Sequence, residues 1–301
     1  MKAGSHNGIA LVLTLMVLAI ITAVVVEFAY GVYVNTNFLA NWQTSQKLSL
    51  TAKSGVTLAS RLINYALEQN SYTYPGSVYL PPADPFSSDK NTGSNLRVSI
   101  TIEDETSKFN LNSLVYSNNK LNEDAYESFV RLLKYLSLDT DIADRIADWI
   151  DKDQTPRTQG SEEGAKNASM ESTDELLLIP GINREIYDKL MPYVTAYGKR
   201  GIINININGA DIPVLMSLSK DINEDMAKRV IRYREVKPFE HPSHLQKVAG
   251  FETLATSLMG RITVKGEFFR IISTAFSEDG IKRIIECVID SSGQVKYWKE
   301  V

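Results

Sequence analysis

Ile9-Ala10-Leu11-Val12-Leu13-Thr14-Leu15-Met16-Val17-Leu18-Ala19-Ile20-Ile21-Thr22-Ala23-Val24-Val25-Val26 carries no charge, no proline and no glycine. At 1.5 Å of rise per residue the run spans roughly 27 Å, close to the roughly 30 Å hydrocarbon core of a bilayer. A cleaved secretory signal has a shorter apolar region followed by a small-x-small site. Here the chain continues through Glu27-Phe28-Ala29-Tyr30, with Tyr30, Tyr33 and Trp42 as interface and post-interface aromatics. The run therefore reads as a retained, single-pass membrane helix. Lys2 is the one cation before it and Lys47 the first after it, which places the N-terminus in the cytoplasm.

The helical pattern outlasts the membrane. The first proline is Pro75, and between Glu27 and Glu68 the poor helix formers are Gly31 and Gly55. Phe28, Phe38 and Trp42, then Leu48, Ala52, Val56, Ala59, Ile63 and Ala66, recur near helical spacing. The spacing predicts a membrane helix running into an amphipathic one. The softer Asn35-Thr36-Asn37 stretch leaves two helices with a bend as the alternative.

The remaining composition narrows the function classes. The 301 residues amount to about two domains on length alone, and 44% hydrophobic content supports a packed core. A net charge of −4 argues against a broad polybasic nucleic-acid surface. A single cysteine, Cys287, excludes an internal disulfide framework, and three histidines leave little for metal or acid–base chemistry. With no nucleophile–base constellation in view, the sequence reads as a non-enzyme.

Gly8-Ile9 sits where a short polar leader meets the apolar helix. The arrangement resembles the class III leader of type IV pilins and type II secretion pseudopilins. That resemblance implies cleavage after Gly8 by a prepilin peptidase, with methylation of Ile9 as the new N-terminus. The usual Glu at the fifth mature position is here Leu13, a departure typical of the type II secretion minor pseudopilin K family. Further blocks look like that family: Phe109-Asn110-Leu111-Asn112-Ser113-Leu114; Asp148-Trp149-Ile150-Asp151-Lys152-Asp153 with Gly160 and Glu162; Asp174-Glu175-Leu176 through Ile179-Pro180-Gly181; Asn204-Ile205-Asn206; and, near the end, Phe268-Phe269-Arg270-Ile271 and Tyr297-Trp298-Lys299-Glu300. Between Glu163 and Lys166 the chain lacks a longer loop usual in the family.

The resemblance implies an α+β, pilin-like fold: a long N-terminal helix packed on a small antiparallel sheet, with a large inserted all-α domain. It also implies a structural role at the tip of the secretion pseudopilus, initiating or capping assembly with other minor pseudopilins. The protein would sit in the inner membrane with its C-terminal domain in the periplasm. The sequence divides accordingly into a leader (1–8), the membrane and long helix (9–70), a sheet region (71–118 and 261–301) and an inserted helical domain (119–260).

Local signals agree. Residues 72–93 are rich in Pro, Ser, Gly and Asp and read as a loop. Leu96 to Ile102 alternates as a strand, and 267–276, 281–290 and 294–299 are strand-like segments separated by Ser277-Glu278-Asp279-Gly280 and Ser291-Ser292-Gly293. Asn122 or Asp124 opens one helix, and Asp139 or Asp141 caps the next.

Inside the insertion, Leu177-Leu178-Ile179-Pro180-Gly181-Ile182 echoes Leu245-Gln246-Lys247-Val248-Ala249-Gly250-Phe251. Such helix-hairpin-helix-like units also occur in membrane-anchored DNA receptors of competence systems, which makes that the rival reading; a minor pilin of a type IV pilus is another. Hairpins that bind DNA need glycines where backbone amides approach phosphate. Here Asn183 stands where a second glycine is expected, Asp221 lies at another turn, and Glu252 follows Gly250-Phe251. Arg229, Arg232 and Arg234 are a possible local patch, but nucleic acid is not an expected partner.

From Asp139 to Glu175, 11 acids face 4 bases. Asp139, Asp141, Asp144 and Asp174 read as caps or a solvated face. Asp151, Asp153, Glu162 and Glu163 flank a loop, and alternate acids there can converge on one cation. Pro156 occupies the position where an EF-hand requires glycine, so this is not an EF-hand. The resemblance implies calcium in this region, with these four as candidate ligands; no catalytic cofactor is expected. His241 and His244, with proline between them, make a poor metal pair, and Cys287 reads as a packed small residue.

Overall fold

The computed structural model describes residues 6–75, 96–278 and 280–301, with side chains from Gly8 onward. Leader residues 1–5, most of the 72–93 loop and Asp279 lie outside the described residues. The first element, α1 (His6–Gln69), is one unbroken helix of 64 residues. The bend admitted at Asn35-Thr36-Asn37 does not form. Thr36 donates its hydroxyl to the Val32 carbonyl at 2.8 Å, and a few residues of middling propensity cost only about 0.5 kcal/mol each in a long helix.

The two ends of α1 live in different surroundings. From Ile9 to Trp42 its large apolar side chains are exposed, and the helix is long and apolar enough to cross a membrane. From Leu48 onward the stripe Leu48, Ala52, Val56, Ala59, Ile63 and Leu67 is buried against a sheet. That sheet has the order β1-β6-β7-β8 and is antiparallel throughout. Its strands are β1 (Arg97–Asp104) and, from the far end of the chain, β6 (Phe268–Phe276), β7 (Lys282–Asp290) and β8 (Val295–Glu300). Period-2 alternation turns Phe269, Ile271 and Ala275 of β6, and Ile285, Cys287 and Ile289 of β7, toward α1. Cys287 is fully buried there, and burial pushes its thiol up to about 11, so it is packing rather than a reactive group. Gly55 leaves room for the sheet: a Cβ there would collide with the Ser273 hydroxyl and crowd Val98.

Between β1 and β6 lies the insertion: β2 (Phe109–Asn110), α2 (Glu123–Tyr135), α3 (Asp141–Ile150), α4 (Arg184–Leu190), β3 (Val194–Thr195), β4 (Ile205–Asn206), α5 (Ile212–Ser217), α6 (Glu224–Val236), α7 (Leu254–Leu258) and β5 (Ile262–Thr263). One continuous core runs from Phe109 to Val264, so the helical unit reaches past 119–260 into segments that sequence reading gave to the sheet. The two-residue parallel pairs β2–β3 and β4–β5 draw those ends inward. Asn122 caps α2 as expected, its side chain accepting from the Ala125 amide. At α3 the N-cap is Thr140, while Asp139 Oδ1 accepts from the Asp141 amide at 3.0 Å.

The insertion is built twice. In the first half Asn112 Nδ2 donates to the carbonyls of Met170 (2.9 Å) and Ala196 (2.8 Å), and its Oδ1 accepts from the Met170 amide (2.8 Å). In the second, Asn208 Nδ2 donates to the carbonyls of Phe239 (2.9 Å) and Val264 (3.4 Å), and its Oδ1 accepts from the Phe239 amide (2.8 Å). Each half then has a 3-10 turn (Thr173–Leu178; Pro242–Lys247) leading to a hairpin glycine, Gly181 or Gly250. Arg145 of α3 donates to the Pro180 carbonyl, and Arg229 of α6 donates to that of Ala249. The repeat glimpsed around the two hairpins thus extends over most of the insertion.

A buried polar junction fastens insertion to sheet. The Glu105 carboxylate, without exposed surface, accepts from Arg270 Nε of β6 (2.8 Å), Lys108 Nζ (2.7 Å) and Thr195 Oγ1 of β3 (2.6 Å). Burial alone would lift its pKa, but Lys108 and Arg270 hold it below the usual carboxylate range. Next to it, Asp104 accepts from Thr106 N (2.8 Å) and Asn206 Nδ2 (2.6 Å), yet burial pushes it up to about 6.

Candidate functional site

Helix α3 ends with Asp148 in its last turn and Asp151 as its C-cap, two positions three apart and so on one face. Both side chains are fully buried. The loop that follows returns to them through a tight turn at Gly160, whose φ of 75° suits glycine, and brings Glu162 alongside. One carboxylate oxygen from each of Asp148, Asp151 and Glu162 lies within 4.8 Å of the others.

Arg157 enters this cluster from the loop. Its Nη1 donates to Asp148 Oδ1 and, at 2.6 Å, to Asp151 Oδ2, while its backbone amide donates to Asp148 Oδ2 at 2.9 Å. Ser161 Oγ also donates to Asp148 Oδ2. Both oxygens of Asp148 are thereby partnered, whereas Asp151 Oδ1 and Glu162 Oε1 are buried without a hydrogen-bond partner. Burial raises the pKa of Asp151 against the pull of Arg157, and burial with the neighbouring acids raises that of Glu162. For Arg157, burial would lower the pKa, but Asp151 and Asp148 carry it above the ordinary arginine value. The donor set of oxygen-only carboxylates with two orphaned oxygens fits a hard divalent cation.

Of the four acids singled out from sequence, Asp151 and Glu162 meet. Asp153 stays at the exposed rim, its Oδ1 taken by the Thr155 amide at 2.8 Å, and Glu163 is exposed. The third member, Asp148, was missed because it reads as one more helical acid. Its i, i+3 relation to Asp151 was the available signal. Asn167, in left-handed backbone (φ 55°), closes the loop: turned to satisfy both contacts, its amide donates to the carbonyls of Asp151 (2.9 Å) and Asp153 (3.1 Å).

The second hairpin is furnished differently from a phosphate site. The Gly250 amide donates to Glu252 Oε2 at 2.9 Å, so a carboxylate of the chain itself fills the position an anion would take. The Arg229, Arg232, Arg234 patch divides: Arg234 points inward and donates to the carbonyls of Ile207 and Ala210, both at 2.7 Å, and Arg229 is engaged by the Ala249 carbonyl. His241 caps the second 3-10 turn through the Ser243 amide, which accounts for it without a metal. At the other end of the molecule Ile9 and Leu13 lie on α1, exposed like their apolar neighbours.

Comparison with known proteins follows the same division. Residues 107–199 match the family model for type II secretion system (T2SS), protein K, and residues 201–257 match the helix-hairpin-helix motif. The chain is similar to type II secretion system protein K of Pseudomonas aeruginosa, 29% identical over 89% of this chain and 84% of that one. It is similar also to the protein of that name from Pectobacterium carotovorum subsp. carotovorum, 26% identical over 88% and 86%. In fold it is similar to a chain in the crystal structure of the GspK-GspI-GspJ complex from the enterotoxigenic Escherichia coli type 2 secretion system. The TM-score is 0.64 at 18% identity, covering 87% of this chain and 98% of that one.

Proposed function

The chain belongs to the type II secretion system protein K family, and from that premise we propose that it is a structural minor pseudopilin, not an enzyme, standing at the tip of the secretion pseudopilus. The observation that carries this is the division of α1. Its first half is apolar and uncovered, and its second half is buried on a sheet, so the helix supplies a shaft that only a membrane or other helices can cover. The chain crosses the inner membrane once, and the sheet and insertion lie in the periplasm. The prepilin peptidase cleaves after Gly8 and Ile9 becomes the methylated N-terminus.

Leu13 offers no carboxylate for a neighbouring subunit's N-terminal amine, and the bulky insertion crowds the space another subunit would need above it. Both features favour an end position, which starts or caps the fibre together with other minor pseudopilins, counterparts of GspI and GspJ in the enterotoxigenic E. coli complex. Nucleic acid is not a partner, since Glu252 occupies the hairpin amide of Gly250. Asp148, Asp151 and Glu162 would hold calcium, with Asp153 and Glu163 on the rim; its two positive charges would offset most of the repulsion among the three carboxylates and stabilise the loop.

The test of processing is the N-terminus of the chain isolated from native membranes, read by mass spectrometry. N-methylated Ile9 is expected, and Gly8→Ala should slow or block its formation. An intact Met1, or cleavage beyond Val26, contradicts the pseudopilin reading.

A further inference from the structure

The buried acids belong to one half of the duplicated insertion. In the second half α6 reaches Phe239 through Lys237 and Pro238 alone, whereas in the first half residues 151–169 lie between α3 and Met170, the equivalent of Phe239. A fold that closes without such a loop in one copy does not need a three-carboxylate cluster in the other. The cluster is the only one of its kind among the described residues. It is also incompletely matched: one guanidinium faces three acids, and Asp151 Oδ1, on a side chain with no exposed surface, has no partner.

Arg157 is held in two separable ways. Its backbone amide is fixed to Asp148 Oδ2, and its side chain, 23% exposed, bridges Asp148 and Asp151 through a single nitrogen. The guanidinium therefore has a route to solvent that does not require the loop to unfold. Resting on the calcium reading above, we propose that Arg157 is the displaceable counter-ion of this site: its guanidinium ties Asp148 to Asp151 in the metal-free chain and leaves when a divalent cation takes their oxygens and that of Glu162. A cation can accept oxygens from all three acids, which one nitrogen cannot. The observed affinity is then the intrinsic affinity reduced by the fraction of molecules in which Arg157 has vacated the acids.

The experiment uses the full chain in detergent, stripped with a chelator and titrated with calcium alone, parent beside Arg157→Gln, by calorimetry and thermal unfolding. Metal-free Arg157→Gln should melt below the parent, bind calcium at least tenfold more tightly, and gain more in Tm at saturation. Binding by the parent with unchanged or weaker binding by Arg157→Gln overturns the counter-ion role and leaves the calcium reading standing. Binding by neither chain overturns both. Should Arg157→Gln fail to fold without calcium, Arg157→Lys keeps the charge and loses the delocalised fork; smaller but measurable tightening is expected, and none overturns the proposal.

Discussion

The duplicated asparagines make a paired prediction. Asn112 and Asn208 are almost fully buried, and each amide holds three backbone groups of its own half: an N–H and a carbonyl of Met170 or Phe239, and the carbonyl of Ala196 or Val264. Alanine at either position removes three hydrogen bonds, each worth about 1 kcal/mol net, and leaves a buried amide and carbonyls unmatched, which raises the cost further. The expected loss is about 3–5 kcal/mol for Asn112→Ala and about the same for Asn208→Ala. With a urea dependence of about 2–3 kcal/mol per molar, the midpoint should fall by about 1–2.5 M. The assay is urea unfolding of the full chain in detergent, followed by tryptophan fluorescence, since Trp149 is buried beside the first half's loop. A fall of less than about 0.5 M in either variant, or a large fall in one and none in the other, would refute the claim that the two brackets do equivalent work.

Two further outcomes concern the junction between insertion and sheet. Glu105→Ala strands Arg270, which is 8% exposed, and should cost about 3 kcal/mol in thermal unfolding, part of the loss being spared by Glu286; a loss under about 1 kcal/mol would mean the junction is not what joins the two units. Asp104 has a folded-state pKa of about 6 against 3.8 unfolded, so the folded chain takes up its proton first as pH falls. Its ionised form disfavours folding above pH 6, by up to about 3 kcal/mol, and that penalty is relieved as pH drops from about 7 toward 4. Relative to Asp104→Ala, the parent should gain stability between pH 7.5 and pH 5; a flat or falling difference contradicts the assignment.

Periodicity made the fold legible where one element repeats one environment. The buried stripe from Leu48 to Leu67 and the alternation of β6 and β7 are local patterns that follow from burying one face. Helical continuity through Asn35-Thr36-Asn37 is likewise a local matter, since three residues of middling propensity cost little inside a helix of this length. The duplication was only half visible. Leu177–Ile182 and Leu245–Phe251 share a local hairpin pattern, but the asparagine brackets join residues far apart in sequence, and their local trace is only the short Asn-x-Asn repeated at Asn110-Leu111-Asn112 and Asn206-Ile207-Asn208. The acidic site shows the same limit: Asp151 and Glu162 could be selected as loop acids, while Asp153 is diverted by the Thr155 amide and Arg157 becomes a partner only once the loop has turned back. Asp148 was within reach of local reading through its i, i+3 relation to Asp151, whereas the return of Glu162 and Arg157 to that helix end follows from how the loop closes.

The most direct test of the central claim is assembly. The full chain, extracted from native membranes and purified through an affinity tag, should carry the other minor pseudopilins of its secretion system with it, in a defined ratio and without the major pseudopilin in excess. Recovery of the chain alone at micromolar concentration, with all candidate partners present in the extract, would contradict a role in building the pseudopilus tip.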